Sequence, residues 1–153
     1  MAPTPTRRRG TQRDEIAGAL QQRASALSKL FLSRASLPVS RTEASVLSTL
    51  AEHPRRITDL AAREHVTQPG ITLLVNRLEE RGWVERQADP ADRRVVMVAL
   101  TDEGREALGR LRAEFRALLH EEMATLPDDD VDTLARAIEI LDGLLERLNA
   151  QQR

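Results

Sequence analysis

Residues 57–104 read ITDLAAREHVTQPGITLLVNRLEERGWVERQADPADRRVVMVALTDEG, and this stretch decides the fold. It opens with a short helical segment that buries Leu60 and Ala61, with Thr58 expected as its N-cap. His65-Val66-Thr67 reads as the turn that follows. Gln68-Pro69-Gly70 starts a second helix, because proline in a first turn lacks only an N–H that would be unpaired there anyway. Ile71, Leu74, Val75 and Leu78 recur at helical spacing on one face, and Gly82 supplies the stop. Residues 83–87 and 95–100 are β-rich runs, separated by turn formers at 88–94. Together they predict a hairpin with a long, charged tip.

Upstream of this stretch, Ser40 followed by Glu43 is a capping-box signature. The helix it opens carries Val46, Leu47 and Leu50 on one face and stops before Pro54. Residues 13–36 repeat apolar side chains every three or four positions, at Ile16, Leu20, Ala24, Leu27 and Phe31, before Pro38 ends the pattern. Residues 1–12 are polar and aperiodic and read as a disordered basic arm, with Arg7, Arg8 and Arg9 either solvated or on phosphate. Downstream, Thr101 caps a helix to about Met123 with Leu108, Leu111, Phe115, Leu118 and Leu119 inward. Pro127 breaks it, and the negative charge of Asp128, Asp129 and Asp130 suits the next helix N-terminus. That last helix shows Val131, Leu134, Ile138, Leu141, Leu145 and Leu148, nearly a heptad seam.

The fold expected is mainly α with a small β-hairpin wing: a winged helix-turn-helix plus a helical dimerisation region. Residues 38–100 form the winged lobe, and residues 13–37 and 101–150 form the helical region. The apolar stripes at 16–31 and 131–148 exceed what one winged lobe can cover, so a homodimer is expected.

Composition narrows the chemistry. The 153 residues contain no cysteine, which excludes disulfides, thiolate metal sites and cysteine nucleophiles. No run of 18 apolar residues exists, so nothing predicts a membrane span, and the default location is the cytoplasm. The basic side chains are 22 arginines and Lys29. Residues 1–54 carry eight basic and four acidic groups, residues 55–100 eight and seven, and residues 101–153 seven and thirteen. The acidic C-terminal third repels phosphate, while the earlier segments tolerate it. Phe31, Trp83 and Phe115 are the only aromatics, too few for a single-strand stacking platform. His53, His65 and His120 are far apart in sequence, so no metal site and no cofactor are expected. No nucleophile–base pair or glycine-rich phosphate loop supports an enzyme.

Three short helices followed by a hairpin place the second helix of the helix-turn-helix in the major groove and the hairpin tip on the flanking backbone or minor groove. With its apolar stripe inward, the 68–81 helix presents Gln68, Pro69, Thr72, Leu73 and Asn76 outward. Gln and Asn pair with adenine, and Thr or Leu meets a thymine methyl. Thr67 and the backbone at Gly70 are positioned to hold phosphate at the helix N-terminus. At the tip, Arg94 is the expected groove-entering cation, with Arg93 on phosphate and Asp92 shaping the turn. The competing reading pairs Arg93 and Arg94 with Asp89 and Asp92 across a tight turn. At the level of the whole chain, the alternative is a helical module that binds another protein through the C-terminal seam and never touches DNA.

The wing sequence Asp89-Pro90-x-Asp92-Arg93-Arg94, followed by Val98, Leu100, Thr101 and Gly104, resembles the MarR family of bacterial transcriptional regulators. So does Val75-Asn76-Arg77-Leu78-Glu79-x-x-Gly82, and the resemblance extends over about residues 15–150. It implies a homodimer on a pseudo-palindromic double-stranded operator, with Arg77 among the DNA-binding residues. It also implies release by a small organic effector, phenolic or anionic, held where the first helix, the 40–53 helix and the 101–123 helix converge. Two departures matter. Leu73 stands where family members commonly carry a polar or Arg side chain, and the missing cysteine removes peroxide sensing through a thiol.

Overall fold

The computed structural model describes residues 5–89 and 91–151. Pro90 and residues 1–4 therefore lie outside the described residues, as do the side chains of Arg7, Arg8 and Arg9. The elements run α1 (Pro5–Arg34), α2 (Arg41–Leu50), β1 (Arg55–Arg56), α3 (Ile57–Arg63), α4 (Gln68–Glu80), β2 (Val84–Ala88), β3 (Val96–Leu100), α5 (Asp102–Met123) and α6 (Asp128–Ala150). The chain divides into two compact units, residues 1–113 and 114–153, with the division inside α5.

Local signals set most helix starts. The Ser40 hydroxyl accepts from the Glu43 N–H at 3.1 Å, and the Glu43 carboxylate accepts from the Ser40 N–H at 2.7 Å, closing the capping box. Thr67 caps α4, its hydroxyl accepting from the Gly70 N–H at 3.3 Å, with Pro69 in the first turn. Gly82 ends that region at φ 73°, a left-handed position that glycine adopts without strain. His65, in the turn between α3 and α4, also has positive φ, 52°.

Two expectations are corrected here. The start of α3 is not set by Thr58: Arg56 stands at the N-cap without a side-chain hydrogen bond, and Thr58 lies within the first turn. The reason is β1, which the sequence reading missed. Arg55 and Arg56 pair antiparallel with Val98 and Met97, so the sheet fixes the chain just before the helix. The hairpin is thus part of a three-stranded sheet with β3 in the centre. β2 and β3 pair from Val84 opposite Leu100 to Ala88 opposite Val96. The arm at 1–12 is also revised: the described part of α1 runs from Pro5, so residues 5–12 are helical.

The core of the first unit is one cluster. Val46, Leu47 and Leu50 of α2, Leu60 and Ala61 of α3, and Ile71, Leu74, Val75 and Leu78 of α4 meet Val84, Val98, Leu100 and Leu108, with Ile57 and Trp83 packed against them. Each fully buried aliphatic side chain contributes roughly 1.5–3 kcal/mol. The sheet-to-α5 junction is tied by Thr101, whose hydroxyl donates to the Gly82 carbonyl at 2.6 Å and accepts from the Gly104 N–H at 3.0 Å. Gly104 packs so closely that a Cβ there would stand 2.0 Å from the Trp83 carbonyl oxygen.

The long helices are covered far less. On α1, Ile16, Leu20, Leu27 and Leu30 are exposed. On α5, Leu108 and Leu111 are buried, but Phe115, Leu118 and Leu119, expected inward, are only half-buried. α6 has no buried residue, and Ile138 and Leu145 are 55% and 56% exposed. No helix among the described residues is long and apolar enough to cross a membrane.

Candidate nucleic-acid interface

The inward stripe of α4 fixes what faces out. Gln68, Pro69, Leu73, Asn76 and Arg77 are exposed, and Gly70 and Thr72 are half-buried. Gln68, Pro69, Thr72 and Leu73 line a shallow open depression. The Thr72 hydroxyl donates to the Gln68 carbonyl at 2.8 Å, one turn back. Its one donor is therefore spent within the helix. Gly70 has an internal role, since a Cβ there would stand 2.9 Å from Val66 Cγ1 and 3.2 Å from the Thr67 hydroxyl.

Asn76 is held by the sheet. Arg86 Nη2 on β2 donates to Asn76 Oδ1 at 2.6 Å, and Arg86 Nη1 pairs with Glu79 of the same helix. Arginine has no acceptor, so the amide must turn its oxygen toward Arg86 and its NH₂ away. Arg77 lies beside a buried carboxylate: its Nε is 3.8 Å from Glu43, which is 5% exposed. Arg81 Nη1 also faces Glu43, at 3.9 Å, and donates to the Pro38 carbonyl at 3.0 Å. The Arg81 guanidinium stacks 5.1 Å from the centre of the Trp83 ring. Two guanidinium groups and the Ser40 N–H thus compensate the burial of Glu43 and anchor the C-terminal half of α4 to α2.

Two aspartates tie together the described residues of the hairpin tip. Asp89 Oδ1 accepts from the Ala91 N–H at 2.8 Å, and the Asp89 N–H donates to the Val95 carbonyl at 2.9 Å. Asp92 Oδ1 accepts from the Arg94 N–H at 3.0 Å and from Arg94 Nε at 3.2 Å. Those two donors, the backbone one first, hold the Asp92 carboxyl below its ordinary pKa. The Arg94 side chain is nonetheless 92% exposed. Arg93 is exposed beside it. The Asp92–Arg94 pairing across the turn is therefore present, and it leaves the guanidinium in solvent. Asp89 also faces Arg56 of β1 at 4.0 Å.

The family model "MarR family" matches residues 39–96, from the α2 capping box to the start of β3. A relative from Mycobacterium leprae, the uncharacterized HTH-type transcriptional regulator ML2140, is 33% identical over 110 residues, covering 71% of this chain and 77% of the relative. The chain belongs to the MarR family. A second relative, the HTH-type transcriptional repressor MdtR of Bacillus subtilis, is 28% identical over 94 residues, 61% of each chain. The crystal structure of apo MarR from Escherichia coli superposes with a TM-score of 0.65 at 25% identity, covering 84% of this chain and 95% of that one. MarR membership makes this chain a transcriptional regulator with a winged-helix fold.

Within this MarR-family frame, Thr67, Gln68, Pro69, Gly70, Thr72, Leu73, Asn76 and Arg77 come together on the N-terminal turn and outward face of α4. Asp92, Arg93 and Arg94 come together at the hairpin tip. Sequence reasoning missed Arg86. Its signal was present, because strand alternation puts Arg86 on the same face as buried Val84, where a charged group needs partners. Among the described residues, no group of three or more His, Asp or Glu could hold a metal.

Proposed function

We propose that this protein is a homodimeric, sequence-specific repressor of transcription that binds a pseudo-palindromic double-stranded operator and releases it on binding a small organic ligand, phenolic or anionic. The observation that carries the DNA-binding reading is the outward face of α4, where Gln68, Leu73 and Asn76 are exposed and Thr72 is half-buried on a helix capped by Thr67. In the major groove these side chains read base edges, while Thr67 and the first-turn N–H groups meet phosphate. Arg94, exposed at an ordered tip, enters the minor groove or its rim, and Arg93 meets the backbone. Family membership supports the regulatory role, and the repressor name of MdtR supports the sign of regulation.

Dimerisation is supported by the aliphatic rows on α1 and α6, which would leave a large apolar surface in water on a single chain. Two-fold pairing sets two α4 helices about 34 Å apart, one DNA turn, hence the palindromic site. An effector releases DNA only if it binds the competent and incompetent arrangements differently. A difference of about 1–3 kcal/mol changes operator affinity by roughly 5–150-fold. With no cysteine for redox sensing, an organic molecule is the effector class that fits. The test is a mobility shift with the DNA flanking the protein's own gene, repeated with a panel of aromatic carboxylates and phenols. A saturable shift that a panel member reverses supports the whole reading. No shift above that of unrelated DNA overturns it and leaves the protein-interaction module.

A further inference from the structure

Leu73 is the most exposed large aliphatic side chain among the described residues, at 64%. Exposed aliphatics otherwise concentrate on α1 and α6, so Leu73 lies on a different element from the proposed dimer surface. It lies on the same helix face as Pro69 and Asn76, at i+4 and i−3 spacing, and shares the open depression with Gln68, Pro69 and Thr72. Apart from the Gln68 amide, that depression offers no free side-chain donor. Proline has no N–H, the Thr72 proton is given to the Gln68 carbonyl, and Leu73 is apolar. Beside it, Asn76 offers its NH₂ outward because Arg86 occupies its oxygen.

We infer that this patch reads 5-methylpyrimidine edges, so that thymine methyl groups in the major groove dock between Pro69, Thr72 and Leu73. The inference rests on the DNA-binding reading above and specifies its ligand chemistry. Thymine is the one base that presents an apolar group in the major groove, and it carries the O4 acceptor next to that methyl. A leucine beside an amide donor matches both features. Cytosine presents an N4 donor and no methyl, and guanine presents acceptors with nothing for leucine to cover. An exposed leucine in this place is also what a polar or Arg residue cannot supply, since those side chains seek hydrogen bonds rather than methyl contacts.

The experiment uses the full-length protein and a duplex recovered by selection from a randomised pool. Each thymine of that duplex is replaced in turn by deoxyuridine, which removes only the methyl group. At one or more symmetric positions, loss of the methyl should weaken binding about fourfold per site, the worth of one buried carbon. Replacing those thymines by cytosine should weaken binding further, and 5-methylcytosine should recover part of the loss. Leu73→Ala, checked for an unchanged melting temperature, should bring the thymine-to-uracil difference to within about twofold. Equal affinity for thymine and uracil at every position, with selective binding otherwise intact, overturns the methyl-reading inference alone. Failure to select any duplex overturns the DNA reading itself, and this inference with it.

Discussion

Arg86 on β2 and Asn76 on α4 are joined by a 2.6 Å hydrogen bond that fixes which side of the Asn76 amide faces outward. The same guanidinium holds Glu79, so one strand residue grips the helix at two positions three apart. The wing sheet and α4 are thereby tied together at this point, and Asn76 is preset with its NH₂ outward, a donor rather than a group free to pair bidentately with adenine.

Releasing that grip should blur recognition more than it lowers stability. Arg86→Ala is expected to weaken operator binding by about 1–3 kcal/mol and to relax preference at the base pair nearest Asn76. Arg86→Lys should recover little, because a single ammonium cannot serve both partners in the arginine's fork geometry. A double-mutant cycle with Asn76→Ala, read by fluorescence anisotropy, should give a coupling energy of roughly 0.5–3 kcal/mol. Strict additivity would show that Arg86 does not act through Asn76.

The wing tip makes a pH-dependent prediction. Asp92 has its pKa lowered in the folded state by the Arg94 N–H and guanidinium. A depressed carboxylate stabilises the fold above its ordinary pKa and loses that contribution as pH falls through the folded value. The tip should therefore stay ordered at neutral and mildly acidic pH, and the Arg94 amide resonance should shift only below the ordinary aspartate range. In Asp92→Asn this transition should vanish. Arg94→Ala should leave the fold intact, cost about 1–3 kcal/mol of operator affinity and reduce the salt slope by about one. A normal slope in that variant would remove Arg94 from the interface.

Much of the architecture was legible because its signals are local. Ser40 and Glu43 announce their capping box within four residues, and the stripe from Ile71 to Leu78 announces the buried face of α4. β1 was not legible, since Arg55 and Arg56 have no strand character of their own and are paired only because β3 arrives some forty residues later. Thr58 was misread as a cap for the same reason: a distant strand sets where α3 begins. At the site, which residues face out followed from the period of the helix. Which of their hydrogen-bonding groups remain available did not, because that depends on Arg86 and on the internal bond of Thr72.

His65 occupies the left-handed region in the turn between α3 and α4, at φ 52°. This conformation costs an L-residue roughly 1–2 kcal/mol, whereas glycine adopts it freely but loses about 0.5–1 kcal/mol of chain entropy on folding. The strain relief is the larger of the two. His65→Gly should stabilise the protein by about 0.5–1 kcal/mol in urea unfolding, and His65→Val should destabilise it, because β-branched residues resist positive φ.

Gly104 is expected to be intolerant of even one added carbon. A Cβ at 2.0 Å from the Trp83 carbonyl meets backbone, not the end of a flexible side chain, and it also meets Leu100 Cδ1 at 2.9 Å. Relief requires moving α5 away from the strand it follows and stretching the Thr101 bonds to Gly82 and Gly104. Gly104→Ala should cost about 1–3 kcal/mol or more and lower the melting temperature by several degrees. Gly109, five residues along the same helix with open space around it, provides the control: Gly109→Ala should be neutral or stabilising.

The exposed aliphatic row of α6 supplies the last prediction. Ile138 and Leu145 lie seven residues apart on one face, each more than half exposed in a single chain. Charge placed there costs an isolated chain little, since neither side chain is buried in it. In a dimer that covers this row, two carboxylates per chain would be left without partners in an apolar interface, a penalty of several kcal/mol. Ile138→Asp with Leu145→Asp should therefore yield a folded monomer by light scattering at micromolar concentration, with its helical content retained. Operator binding should fall sharply, because a lone α4 reads one half-site and loses the second as a tethered contact. A double variant that remains dimeric, or a wild-type chain that is already monomeric at that concentration, would place the partner surface elsewhere.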